Sequence, residues 1–289
     1  MDWKVLRKKR QSATRGVPPG TESLNWVAST VTLIYGNSDA VLVDTFLTAQ
    51  HARELADWIG TSGKSLTTIY VTHGHGDHFF GLGMLLNRFP GARAVATPEV
   101  VERMRPQISP QMLSTMWEAR WPGQIPERLT IATPLGGDHI LLEGHKLVPV
   151  RLGHTDTPDS TCLHVPSLDL VVAGDAVYDG THPFLSETNP ERRLEWIAAL
   201  DKIEALTPAT VIAGHAVLDA DNSPRHIQLT RQYIRDFERL NEETKTAHEL
   251  YDRMLQLYPD RVNPGSLWGA AHVAKNERAD LPFARSDKT

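Results

Sequence analysis

The stretch VTHGHGDHFFG runs from Val71 to Gly81. Within it, His73, His75, Asp77 and His78 fall inside six residues, directly after an apolar run. Residues two apart in an extended segment point the same way, so His73 and His75 share a direction. Asp77 and His78 are adjacent and diverge, which lets them serve a second position. Imidazole nitrogen and carboxylate oxygen are the donors that zinc takes in catalytic sites. A polar turn after a strand accounts for one histidine, but not for three with an aspartate at this spacing. Gly74, Gly76 and Gly81 are expected to let the backbone turn tightly enough to bring all four side chains inward.

One short loop cannot close two metal sites. Further candidates lie where an apolar run and a glycine precede a His or Asp: His154 after VPVRLG, Asp175 after LDLVVAG and His215 after TVIAG. An isolated His or Asp is usually polar surface. The shared context of these three, just past expected strand ends, gives them weight.

The elements that must carry these residues alternate between strands and helices. VTLIYG (31–36) and AVLVDT (40–45) read as paired buried strands around the turn GNSD, and LTTIYVT (66–72) as a third that runs into the histidine loop. Ala52, Leu55, Ala56 and Ile59 make the apolar stripe of a helix over about 48–60. LGMLLNRF then reads as a helix and ARAVAT as a strand. Residues from about 98 to 127 break the rhythm with five prolines and helical stretches. They read as an inserted helical cap, whose Met104, Met112, Met116, Trp117 and Trp121 suit either an apolar lid or ordinary packing. HKLVPVRLGH, STCLHVP, LDLVVAGD and ATVIAGH are further strands. Asn189 and Pro190 mark the start of a helix between the last two. From Ser223 the chain is mostly helical, with Ala247, Leu250, Tyr251 and Met254 on one apolar face, and its last residues are polar and expected to be loose.

The formal charge of −5 over 289 residues gives no global basic field for nucleic acid. Lys4 to Arg10 is a small basic cluster, read as a solvated tail. The start lacks the apolar core of a secretory signal, and no run approaches the ~18 apolar residues of a membrane helix. Cys162 is the only cysteine, which rules out intrachain disulfides and fits a reducing compartment. The expectation is a cytoplasmic protein that acts on a small molecule, with no nucleic-acid or membrane partner.

In their order, these segments resemble the metallo-β-lactamase-fold superfamily. His73-Gly-His75-Gly-Asp77-His78 matches its H-x-H-x-D-H motif, and the later GHT, AGD and AGH segments match its remaining metal-binding motifs. The resemblance spans roughly residues 25 to 220. It implies an α/β fold, a four-layer αβ/βα sandwich, with 1–24 as an N-terminal extension and 221–289 as a helical extension packed on the same domain. It implies two metal ions per chain, zinc first, with iron or manganese as alternatives. His73, His75 and His154 would hold one ion, Asp77, His78 and His215 the other, and Asp175 would bridge. Asp44 matches the family's early Asp, which supports the ligands from behind; a strand-ending turn residue is the plainer reading.

Two divalent metals sharing a water lower its pKa toward neutrality. The expected reaction is therefore hydrolysis of a small ester or amide, such as a lactone or lactam. Asp77 would also orient the nucleophile or accept its proton. Tyr178, three residues after Asp175, either donates to the reacting group or simply packs. Asp156 and His182 are weaker candidates of the same kind. Ser160 and Cys162 have no evident base partner and read as structural, and Phe79 and Phe80 read as core. A glyoxalase-II-like thioesterase is one alternative, although no convincing glutathione-binding set is present. A non-haem iron oxidoreductase like persulfide dioxygenases is another. Flavodiiron proteins usually carry a carboxylate where His75 stands, nucleases of the superfamily usually carry a large inserted domain, and a non-catalytic binding protein has no need of a complete ligand set.

Overall fold

The chain begins with a strand where its sequence suggests a solvated tail. In the computed structural model, which describes residues 1–14 and 16–276, β1 (Asp2–Gln11) pairs antiparallel with β2 (Trp26–Tyr35), from Asp2 opposite Tyr35 to Gln11 opposite Trp26. The charges hide the strand because their stems lie along apolar surface. Lys4 Nζ sits 4.3 Å from the centre of the Trp58 ring, and Lys9 Nζ 4.3 Å from that of Trp26. Trp3 and Val5 meanwhile pack against the core. The polar C-terminal end expected to be loose falls almost wholly outside the described residues.

The remaining elements follow the expected alternation. β3 (Asp39–Val43), α1 (Ala49–Gly60), β4 (Ser65–Tyr70), α2 (Leu82–Arg88) and β5 (Arg93–Ala96) form the first half. The insert is helical: α3 (Pro98–Gln107), α4 (Pro110–Met112), a π-helical turn (Leu113–Trp117) and α5 (Glu118–Arg120). Two short strands unforeseen in the sequence follow, β6 (Thr133–Pro134) and β7 (Ile140–Leu142). β8 (His145–Gly153), β9 (Ser160–Val165), β10 (Leu170–Asp179), α6 (Pro190–Glu204) and β11 (Thr210–Ala216) make the second half. The Asn189 side chain accepts from Arg192 N at the start of α6, with Pro190 in the first turn as expected. α7 (Arg225–Glu243), α8 (Ala247–Leu257) and α9 (Pro264–Ala274) complete the described chain. None of its helices is long and apolar enough to cross a membrane.

The strands run in the order β6-β5-β4-β3-β2-β11-β10-β9-β8-β7, with β1 added beside β2. In the strand order the halves join where β11 pairs with β2, His215 opposite Ser29. The path doubles back on itself, so that Ile34, Val41 and Tyr70 from the first half pack against Leu163, Val172 and Ile212 from the second. Strand alternation turns the next residues outward. Leu33 and Leu42 meet Leu55 of α1, Leu85 of α2 and Met104 of α3. On the far side, Val171 and Ala213 meet Trp196 of α6, Phe237 of α7 and Leu250 of α8. Helix, sheet, sheet, helix is the four-layer αβ/βα sandwich expected from the motifs. Burial on both faces is why these strands read as unbroken apolar runs.

Candidate metal centre

Six of the seven predicted ligands converge where the loop after β4 meets β10 and β11. His73, His75 and Asp175 have donor atoms within 4.8 Å of one another together with Asp156, and Asp77, His78 and His215 form a second such group. Asp175 joins the two: its Oδ2 lies 3.1 Å from His215 Nε2 and 3.9 Å from His73 Nε2, and its Oδ1 lies 3.3 Å from His78 Nε2. His154, the seventh, stands just past β8 and outside both groups, with its Nε2 3.2 Å from the Glu187 carbonyl oxygen.

Local backbone explains these positions. After β4 the chain extends through His75 into a single 3-10 turn, Gly76–His78. The glycines there are not in left-handed backbone, as a tight-turn reading would have them. Gly76 is required by close approach: a Cβ would come within 2.6 Å of the Phe80 ring and 2.9 Å of Trp117. Asp175 and His215 lie inside their strands rather than past the ends. The register between β10 and β11 shifts on both sides of Gly174, whose φ is +53°, and this bulge re-aims Asp175. Gly214 leaves room for the carboxylate, since a Cβ there would overlap Asp175 Oδ1.

The hydrogen-bond partners fix which nitrogen of each ring faces inward. His78 Nδ1 is 3.0 Å from Asp44 Oδ2, and His215 Nδ1 is 3.0 Å from the Ala28 carbonyl oxygen. Both partners only accept, so Nδ1 carries a hydrogen and Nε2 is the nitrogen that faces inward. Thr72 Oγ1 donates to Asp44 Oδ2 and so receives the His73 Nδ1 hydrogen at 3.0 Å. His75 Nε2 meets the Glu187 carboxylate at 3.1 Å, which turns Nδ1 inward. Four imidazoles thus turn their second nitrogen inward, toward Asp77, Asp156 and Asp175. His73 Nε2, His78 Nε2, Asp156 Oδ2 and Asp175 Oδ1 are buried without a hydrogen-bond partner. Acceptors packed against acceptors are costly unless cations lie among them. Divalent metals fit this set.

The electrostatics agree. Burial disfavours charge throughout, yet it is outweighed at most positions. Asp77 beside His78, and Asp175 beside His215, sit well below the usual carboxylate range. His215 is pushed up to about 9 by Asp175. Among the histidines of the two groups, only His73 is held below its ordinary value, down to about 4, by burial and by His78. The cavity holds fixed negative charge that protons or metal ions must balance.

The sequence model of the metallo-beta-lactamase superfamily matches residues 24–215. The chain belongs to this superfamily. Its structure resembles that of a metallo-beta-lactamase family protein from Thermus thermophilus, with a TM-score of 0.63 and 21% identity over 94% of this chain and 92% of that one. The metallo-beta-lactamase FIM-1 from Pseudomonas aeruginosa gives 0.56 and 18% over 80% and 91%, and one from Pontibacter korlensis gives 0.54 and 17% over 73% and 88%. A comparison with curated proteins gives no match.

Further side chains surround the superfamily's metal loop, and Glu187 and Arg10 are the two among them that the sequence does not mark. Asp44, at φ 62° just past β3, accepts from Thr72 N, Thr72 Oγ1 and His78 Nδ1. It is both the turn residue and the support that the two sequence readings offered. Glu187 bonds His75 and, at 2.7 Å, Thr157 Oγ1. Arg10 reaches in from β1, outside the matched span, and donates to Asp77 Oδ2 at 2.7 Å with its guanidinium carbon 5.0 Å from the centre of the Trp121 ring. A pairing signal for these two is absent from the sequence, where they look like ordinary surface charges. Tyr178 Oη donates to Asp175 Oδ2 at 3.1 Å, and burial and Asp175 push its phenol well above its ordinary value. His182 bonds Tyr233 at 2.8 Å and joins neither group. Ser160 donates to the Thr157 carbonyl, and buried Cys162 is pushed up to about 12 by its burial. Phe79 and Phe80 are core.

Above the ligands lies a small cavity of about 70 Å³. Met116, Trp117 and Trp121 of the insert and Phe184 give it an apolar wall, Arg10 supplies one charge, and Asn263 and Ser266 close it from the C-terminal helical region. The same insert side chains are buried in the first-half core, so lid and packing are one structure.

Proposed function

We propose that this chain is a hydrolase that uses two divalent metal ions to open a small ester or amide, a lactone or lactam first. The observation that carries this reading is the ring of inward-facing imidazole nitrogens and carboxylates joined by Asp175, at the floor of a largely apolar cavity. Zinc is the metal we assign, with iron and manganese as the competitors to exclude. Two such ions supply activation of water near neutral pH and polarisation of a carbonyl. The chain does the rest. His73, His75, Asp77, His78, His215 and Asp175 fix the ions, with His154 at the margin. Arg10 holds Asp77 in place as a carboxylate, ready to orient the attacking water and take up its proton. Tyr178, kept protonated, offers its hydroxyl toward the reacting group once Asp175 is otherwise engaged. The Met116, Trp117 and Trp121 wall excludes water and selects a compact, partly apolar substrate. A cytoplasmic setting suits the single buried Cys162, and the ligand is a small molecule rather than nucleic acid.

The test is elemental analysis of the purified protein, joined to a hydrolysis screen across lactones, lactams, thioesters and phosphodiesters. Two zinc ions with turnover of a lactone or lactam support the proposal. Turnover of thioesters alone would move it to a thioesterase. One iron with oxygen uptake on a persulfide would replace it with the oxidoreductase.

A further inference from the structure

Asp156 is wholly buried in the turn between β8 and β9. Its Oδ1 accepts from Thr155 Oγ1 at 2.8 Å, and its Oδ2 has no hydrogen-bond donor. That oxygen lies 3.0 Å from His75 Nδ1 and 3.7 Å from His73 Nε2. His75 Nδ1 is the ring nitrogen turned toward this oxygen, while its Nε2 meets Glu187 on the other side of the ring. A ring nitrogen and a carboxylate oxygen thus face each other, with His73 Nε2 beside them. Separations of 3.0–3.7 Å are those of atoms sharing one metal ion at bond lengths of ~2.0–2.2 Å. His154 has the opposite arrangement. Its Nε2 hydrogen goes to the Glu187 carbonyl, and neither of its nitrogens belongs to the group.

We propose that the Asp156 carboxylate, in the place where the motif order puts His154, completes the first metal site with His73, His75 and Asp175. His154 then becomes a positioning residue that ties the 154–160 turn to the Glu187 loop. This rests on the two-metal reading above. It also changes the character of the site. Three carboxylates, Asp77, Asp156 and Asp175, would balance most of the charge of two dications. Two imidazoles with carboxylate oxygen also accommodate iron or manganese more readily than three imidazoles do.

The experiment is a calorimetric and optical titration of the chelator-stripped full chain with Co(II) alone. It compares wild type, Asp156→Asn and His154→Gln, with circular dichroism as the check on folding. Asp156→Asn should bind one ion as wild type does and the other ~10–100-fold more weakly, as loss of a ligand does. The d–d absorption of that weaker site should change. His154→Gln should keep two ions and both bands. The reverse pattern, with Asp156→Asn unaffected and His154→Gln losing an ion, would overturn the proposal while leaving the two-metal reading intact. A wild-type chain that binds no pair of ions would instead sink that reading. If Asp156→Asn does not fold, hyperfine-shifted imidazole N–H protons of the unmodified cobalt protein decide the matter. Those of His73, His75, His78 and His215 support Asp156, and an additional one from His154 contradicts it.

Discussion

The two ligand groups share Asp175 but are held in different ways. The second group is anchored to the sheet. His78 rests on Asp44 at the end of β3, His215 on the Ala28 carbonyl of β2, and Asp77 on Arg10 of β1. The first group leans on loops. His75 and His154 both rest on Glu187, and Asp156 sits in the 154–160 turn. His73 is the exception, because Thr72 links it back to Asp44. Strand ends hold a side chain more tightly than loops do. The second site is therefore the rigid one, and the first is the one that a loop movement can tune.

Removing the shared strand-side support should do the most damage. Asp44→Asn keeps the left-handed turn, which Asn tolerates, but it presents fewer acceptor atoms to Thr72 and His78. Metal affinity should fall ~10–100-fold at both sites, read by titration with zinc. A loss confined to one site would break the view that Asp44 serves both. Glu187→Gln should act more narrowly. The first ion should weaken about 10-fold while the second is unchanged; equal weakening of both would erase the distinction drawn between the groups. Met116→Ala should leave both ions in place. It should cost ~2–5 kcal/mol of stability by opening a cavity in the core, seen by chemical denaturation, and shift KM and substrate preference. Loss of metal in that variant would show that the insert supports the centre and does not merely wall it.

The same contrast governs what the sequence makes legible. His73, His75, Asp77 and His78 are local, so their spacing alone announces the metal loop. The buried strands are legible because both of their faces are covered. Arg10 and Glu187 are 67 and 112 positions from the ligands they hold, and nothing in their surroundings marks them. β1 is hidden by its charged residues, of which Lys4 and Lys9 set their ammonium groups over aromatic rings that only the fold brings near. Asp175 looks like a strand-end residue because AGD follows an apolar run. Its placement inside β10 depends on a bulge that only pairing with β11 reveals. Glycine in the metal loop signals a tight turn, whereas the cause is the approach of Phe80 and of Trp117 from the insert.

The central claim is that Asp175 holds two divalent ions together, and metal binding tests it without knowledge of the substrate. Stripped wild-type and Asp175→Ala chains would be titrated with zinc, dialysed and analysed for metal content. The account expects two ions per chain in the wild type. It expects fewer than two in the variant, which has lost one ligand from each ion and the negative charge between them, at a cost of at least ~10–100-fold in affinity. Two ions bound by Asp175→Ala with wild-type affinity would contradict it.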